Sequence, residues 1–266
     1  MIAAAREAAE LLWRHRCAGT TIDGLPERLR PQDAGAGHAI QAELPKVSGL
    51  AVVGWKIAAT SAAGQAHINV SGPLPGRILS RFVHAVGQAV SLSGNRMRVV
   101  EPEFAFRLGA DLPPQAAPRT QPEVLAAVAS LHPAFEVPDS RYTDFSIAGE
   151  AQLLADDACC GEFVFGAAAP EGWREKDLSA AQVLATVRDA AGAVRTRREG
   201  VGSAALGDPR AALTWLVNAL SVRGITLAAG MTVSTGTCMA PLAIAPGDRV
   251  SADYGPFGQI ELRFTA

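Results

Sequence analysis

Glu101 and Glu103 stand one residue apart in an apolar frame of Val99, Val100, Phe104 and Phe106. In an extended strand, residues i and i+2 project to one face, so both carboxylates would point the same way. Like charges that close repel and raise one pKa unless a cation neutralises them. Hard oxygen donors at this spacing suit Mg²⁺ or Mn²⁺, which take a few carboxylates and leave positions for water or substrate. Two glutamates on a solvated edge strand fit the spacing equally. Glu136, between Phe135 and Val137, is a third carboxylate in similar surroundings. Lys56 lies in the apolar run Val52–Ile57 and precedes Thr60 and Ser61. It either snorkels to the surface or enters a polar cleft, where burial would lower its pKa toward neutrality and suit it to acid–base work. Asp139-Ser140-Arg141 fits a turn with a local ion pair. Thr235-Gly236-Thr237 closes a late strand, where hydroxyls and N–H groups could hold a carboxylate or form an ordinary turn.

The elements that must carry these groups read as short β-rich runs separated by Gly and Pro. Strands are expected at Val52–Ile57, Val99–Phe106, Ala134–Val137, Glu162–Phe165, Met231–Thr235, Arg249–Ala252 and Gln259–Phe264. Helices are expected over 1–16, about 32–43, Pro122–Val128, from a cap at Ser179 to about Arg188, and Asp208–Arg223. The last is the clearest: Asp208 fits the N-cap, Pro209 the first turn, Gly224 the stop, and Leu213, Leu216, Val217 and Leu220 form one stripe. The blocks lack a regular βαβ beat, which predicts an α+β fold. Pro45, Ser48 and Gly49 mark a boundary between Leu44 and Leu50, with a helical appendage at 1–48 and a catalytic body at 49–266.

Composition narrows the function classes. A chain of 266 residues with 48% hydrophobic and 19% charged residues folds without disulfides or a structural metal. Its net charge of −2 offers no footprint for nucleic acid or anionic lipid, and Arg195, Arg197 and Arg198 read as a solvated face or turn. No apolar run is long enough to span a membrane. Cys17, Cys159, Cys160 and Cys238 show no CxxC spacing, and the amphipathic start lacks a signal-peptide core, so a reduced cytoplasmic protein is expected, with vicinal Cys159 and Cys160 as small buried hydrophobes. Dinucleotide, P-loop, zincin and nucleophile-elbow motifs are absent, and the five histidines lack ligand spacing. The low charge favours some surface buried between subunits of a homo-oligomer.

Taken in order, Gly54-Trp55-Lys56-Ile57-Ala58-Ala59-Thr60-Ser61, Glu101-Pro102-Glu103-Phe104-Ala105-Phe106-Arg107-Leu108 and Pro133–Arg141 resemble the 2-keto-4-pentenoate hydratase and 4-oxalocrotonate decarboxylase family, a branch of the fumarylacetoacetate hydrolase superfamily. Ala39-Ile40-Gln41, Leu154–Cys160, Trp215–Leu220 and Ser234-Thr235-Gly236-Thr237 through Asp248 extend the resemblance over about residues 35 to 264. It implies a mixed β-sheet roll with a smaller helical N-terminal part. It implies Mg²⁺, with Mn²⁺ possible, held by Glu101, Glu103 and Glu136. The substrates it implies are 2-hydroxydienoates or 2-oxo acids of aromatic meta-cleavage catabolism. Lys56 would shuttle a proton or contact the substrate carboxylate, with Ser61, Gln65, Asp139, Arg141, Thr235 and Thr237 lining the pocket. A hydratase would protonate the dienol and add water at C4; a decarboxylase would lose CO₂ at the same centre. The chain departs from the family pattern at His38, Leu74, Asp157 and Cys159. Two further alternatives are an acylpyruvate C–C hydrolase using His38 with Glu43, and a silent partner subunit of a hydratase–decarboxylase complex.

Overall fold

The computed structural model describes residues 2–266. α1 (Ile2–Ala18) takes in the expected first helix, whose Met1 lies outside the described residues. α2 (Ala34–Ser48) starts at Asp33, whose carboxylate accepts from Ala36 N at 2.8 Å. Pro45 stays inside α2, where its missing N–H forfeits one bond, and the helix stops only at Gly49, with φ 69°. Between strands lie the short α3 (Ala62–His67), α4 (Gln121–Ala126) and α5 (Glu150–Ala155). α6 (Pro209–Val222) has the expected anatomy: Asp208 Oδ1 accepts from Arg210 N at 2.7 Å, and Leu213, Leu216 and Leu220 are fully buried. No helix among the described residues is long and apolar enough to cross a membrane.

In chain order the strands are β1 (Val52–Ala58), β2 (Leu74–Leu79), β3 (Val83–His84), β4 (Val90–Ser91), β5 (Val99–Leu108), β6 (Val128–Val137), β7 (Glu162–Phe165), β8 (Gln182–Arg188), β9 (Val194–Val201), β10 (Thr232–Thr237), β11 (Leu242–Ala243), β12 (Arg249–Asp253) and β13 (Gln259–Thr265). One sheet runs β2-β1-β10-β5-β6-β7-β3, with β11 also on β5, and the other runs β4-β13-β12-β8-β9. Parallel pairs (β1–β10, β3–β7, β4–β13) sit among antiparallel ones, so both sheets are mixed. Their apolar faces meet in the main core, where Phe104, Phe106, Leu131, Phe135 and Val233 pack with Val183, Val187, Val250 and Leu262. α1 and α2 pack together over Leu12, Leu25 and Ile40, with Tyr142 and Ala155 of the body.

Two expectations are corrected. The stretch after Ser179 is not a helix. Val183, Ala185 and Val187 alternate inward as β8, a period of two that overrides the Ala-rich helix propensity, and Ser179 bonds Asp177 in a turn. The Arg195–Arg198 cluster lies on edge strand β9 and is not merely solvated: Arg195 pairs with Asp248 at 2.6 Å, and Arg198 donates to the Ala240 and Pro241 carbonyls. Leu74-Pro75-Gly76 opens β2, an edge strand that tolerates Pro75.

Gly54 allows β1 its place beside β10. A Cβ built there would lie 2.1 Å from Thr232 O, so Gly54→Ala must push the strands apart. Thermal unfolding is expected to show a loss of about 1–3 kcal/mol; an unchanged midpoint would refute the close approach.

Candidate metal centre and its surroundings

Sheet register assembles the site. Glu101 lies opposite Glu136 across the β5–β6 ladder, and Glu103, two residues on, shares their face. Lys56 is the parallel partner of Ser234, which in turn pairs with Ala105 on β5. Alternation then sends Trp55, Phe104, Phe135 and Val233 into the core and puts Lys56, Glu101, Glu103, Glu136 and Ser234 on the opposite face. Each glutamate offers an oxygen within 4.8 Å of the others. Glu103 and Glu136 are fully buried, while Glu101 is partly exposed at the rim.

The electrostatics of this cluster are severe. Burial, then Glu136, push Glu101 up to about 8 against the pull of Lys56. Burial and the other two carboxylates raise Glu103 well above its ordinary range, although bonds from Ser234 and Gly236 oppose this. Glu136 is raised by burial and lowered by Lys56, whose Nζ lies 3.2 Å from Oε1. That contact is an ion pair off the hydrogen-bonding direction, so Glu136 Oε1, like Glu103 Oε1, has no hydrogen bond. Three carboxylates facing one ammonium, with two orphaned oxygens, are a donor set that fits a hard divalent cation. For Lys56, the expected drop toward neutrality is corrected. Burial does lower its pKa, but the attraction of Glu136 and Glu101 outweighs it and holds the ammonium charged.

The remaining candidates divide. Ser61 caps α3 by accepting from Gly64 N at 3.1 Å, and Gln65 donates to Ala59 O at 3.1 Å, so both stand just beyond the end of β1. Thr235 and Thr237 lie on β10, but their hydroxyls are committed to the Phe104 and Met239 carbonyls. Asp139 accepts from Arg96 N and Met97 N, and Arg141 pairs with Asp156 at 2.5 Å. Asp139 and Arg141 line a polar cleft of about 350 Å³ with Arg16, Arg81 and Asn95, which Lys56 and the three glutamates do not line. Sequence reading named Gly236 within a segment whose N–H groups could hold a carboxylate but did not single out Ser234; Ser234 Oγ and Gly236 N donate to Glu103 Oε2 at 2.6 and 3.0 Å. The strand period links 234 with 236, but nothing in the sequence revealed their alignment with Glu103. His38 and Glu43 form no dyad. Glu43 pairs with Lys46, while His38 contacts Gln41 and Arg223 and falls to about 4 through burial and the Arg223 charge.

Behind Lys56 the chain is strained. Asp157, Ala158 and Cys159 take φ of 56°, 54° and 58°, a left-handed run that costs roughly 1–2 kcal/mol per residue. Arg141 holds Asp156 on one side, and Asp157 Oδ1 accepts from Gln41 Nε2 at 3.1 Å and Arg77 N at 2.7 Å. Gly76 is required opposite, because a Cβ there would meet Asp157 O at 2.6 Å and the Lys56 stem at 2.9 Å. Cys159 and Cys160 are buried free thiols, as expected.

A mixed-sheet roll that carries three converging carboxylates and a lysine on one face defines a fumarylacetoacetate-hydrolase-like metalloenzyme fold. No protein-family model matches the chain. It is 33% identical over 258 residues, 96% of this chain and 94% of the other, to 2-hydroxyhexa-2,4-dienoate hydratase of Comamonas testosteroni. It is 32% identical over 213 residues, 80% of this chain and 78% of the other, to 4-oxalocrotonate decarboxylase of a Pseudomonas species. The 4-oxalocrotonate decarboxylase of Pseudomonas putida G7, solved with magnesium and adipate, superimposes with a TM-score of 0.86 at 27% identity, covering 98% of this chain and 97% of that one. The chain belongs to the 2-keto-4-pentenoate hydratase and 4-oxalocrotonate decarboxylase family and is an enzyme of lyase type.

Asp157 gives a pH-dependent prediction. Burial raises its carboxyl to about 6 despite the Arg77 N–H and the Arg16 and Arg77 charges. The folded state thus holds the proton more tightly than the unfolded chain, where it leaves near 3.9. The contribution is fully present below about pH 4 and is lost as the pH rises through about 6. Asp157→Asn lacks this dependence, and asparagine tolerates the left-handed backbone. Its stability relative to the wild type should rise by up to roughly 3 kcal/mol between those pH values, read by urea unfolding. A difference independent of pH would refute the burial penalty.

Proposed function

We propose that this lyase is a Mg²⁺-dependent hydratase that adds water to a 2-hydroxy-2,4-dienoate to give a 4-hydroxy-2-oxo acid, in a cytoplasmic route of aromatic catabolism. The observation that carries this reading is the convergence of Glu101, Glu103 and Glu136 beside Lys56 on one sheet face. When bound, the divalent cation neutralises the carboxylates and stabilises negative charge on the substrate's oxygens. Lys56, held as an ammonium by Glu136, has a proton to give. Its part is to protonate the dienol's terminal carbon or to hold the substrate carboxylate while water adds at C4. Ser61 and Gln65, just past the end of β1, belong to the pocket rim in this reading.

The decarboxylase reading shares the same centre. The surroundings favour hydration of a substrate with an apolar end. Leu74 pairs with Ala58 on β2 and β1, one step along the same face from Lys56, and packs with Ala158 and Cys159. Arg141, a nearby candidate for a second substrate carboxylate, is committed to Asp156. The four free thiols support a reducing compartment.

The test follows loss of 2-hydroxypenta-2,4-dienoate by ultraviolet absorbance with Mg²⁺ and with EDTA, identifying the product by mass. Metal-dependent formation of the water adduct is expected, and Lys56→Met should lower kcat by about 100-fold or more with the fold intact by circular dichroism. No turnover of the dienoate, with CO₂ released from 2-oxo-3-hexenedioate, would move the assignment to the decarboxylase.

A further inference from the structure

Strand β10 does not run evenly past β5. Its register shifts between Ser234 and Thr237, and Gly236 inside this bulge has φ 97°. A side chain at 236 is excluded twice, by that backbone angle and by Thr60, whose Oγ1 would lie 2.3 Å from a Cβ. The bulge aims two donors at one oxygen: Ser234 Oγ–H and Gly236 N–H both reach Glu103 Oε2, at 2.6 and 3.0 Å. The 2.6 Å bond is in the range of a hydroxyl donating to a charged carboxylate. Ser234 is fully buried and sits between Lys56 on β1 and Ala105 on β5, so its hydroxyl has little freedom to turn elsewhere. Glu103 Oε1, by contrast, is buried with no hydrogen-bond partner.

We propose that Ser234 is a positioning residue for the metal centre: with Gly236 N–H it holds Glu103 by Oε2 and leaves Oε1 for the cation shared with Glu101 and Glu136. This rests on the metal-dependent reading above. A ligand carboxylate free to rotate would lose orientation on binding, and fixing one oxygen removes that cost. Loss of such an outer hydrogen bond weakens metal binding by about 10- to 100-fold. The neighbouring hydroxyls do not share the role, because Thr235 and Thr237 donate to main-chain carbonyls.

The experiment measures Mn²⁺ binding by electron paramagnetic resonance, without substrate. Ser234→Ala should bind Mn²⁺ about tenfold or more weakly, whereas Ser234→Thr, which keeps the hydroxyl, should stay within about threefold of the wild type. Tyr142→Phe is the control for generic loss of a buried hydroxyl, since Tyr142 donates to Gln152 O at 3.2 Å in the cluster beneath α1 and α2, and it should keep wild-type affinity. An unimpaired Ser234→Ala, or an equal loss in Tyr142→Phe, overturns the inference. If Ser234→Ala does not fold, Ser234→Cys, a near-isostere with a weak donor, takes its place under the same criterion. A wild type that binds no Mn²⁺ overturns the metal reading and this inference together, a result distinct from a binding wild type with an unimpaired variant.

Discussion

Repulsion among three carboxylates crowded at one largely buried site is the constraint on which the rest of this molecule depends. Bringing Glu101, Glu103 and Glu136 within 4.8 Å of one another is unfavourable for the chain alone, with the Lys56 ammonium and, more weakly, the Arg16 charge to oppose their repulsion. The arrangement persists because ladder bonds and core packing behind it over-determine it. Glu101 cannot leave Glu136 without breaking the β5–β6 register, and that register is pinned by Phe104, Phe106 and Phe135 on the other face. Apolar burial on one side of the sheet thus maintains charge crowding on the other. The crowding in turn gives the site a donor set that fits a divalent cation.

A second layer of strain supports the first. The left-handed turn from Asp157 to Cys159 abuts the Lys56 stem through Gly76, and it is held by ionic and amide partners from distant elements: Arg141 for Asp156, Gln41 of α2 for Asp157. Three consecutive non-glycine residues in this conformation would relax if unsupported. The N-terminal helices therefore do more than cover the body, because α2 contributes one of the bonds that keeps the turn wound. The orphaned Asp157 Oδ2 is the cost of using a carboxylate at this position, one of those where the chain departs from the family pattern.

Much of the site was legible because it follows the strand period of two. Glu101 and Glu103 announce a shared face wherever the chain is extended, and the apolar residues between and around them say which face is buried. The α6 helix was legible from Asp208, Pro209 and its stripe. What failed was context. The segment after Ser179 opens with Ala180 and Ala181 and so suggested a helix, yet the alternation of Val183, Ala185 and Val187 decides once β12 lies alongside. Ser234 stayed hidden because its role depends on a register shift between β10 and β5, a property of two distant segments that no local pattern encodes. The charge state of Lys56 was misread for the same reason: burial was foreseeable from the apolar run, whereas its distance to Glu136 was not.

The carboxylate cage cannot by itself choose between the two lyase outcomes of the family, since both need negative charge stabilised on the same end of the substrate. The choice falls to what surrounds the cage. In the proposed hydratase, water must reach the substrate's fourth carbon, and the structure leaves a side for it. Glu101 is partly exposed, and α3, which starts four residues beyond β1, buries none of its side chains. On the Leu74 side the wall is apolar and formed by residues of the strained turn and α5. In the proposed reading a substrate tail placed there would have apolar contacts, with the Arg141 guanidinium committed to Asp156, while the reacting carbons stay toward the open side. Leu74 and Cys159, two of the positions where the chain departs from its family's pattern, belong to that apolar cluster, which is where the proposed preference for an apolar substrate end finds its support.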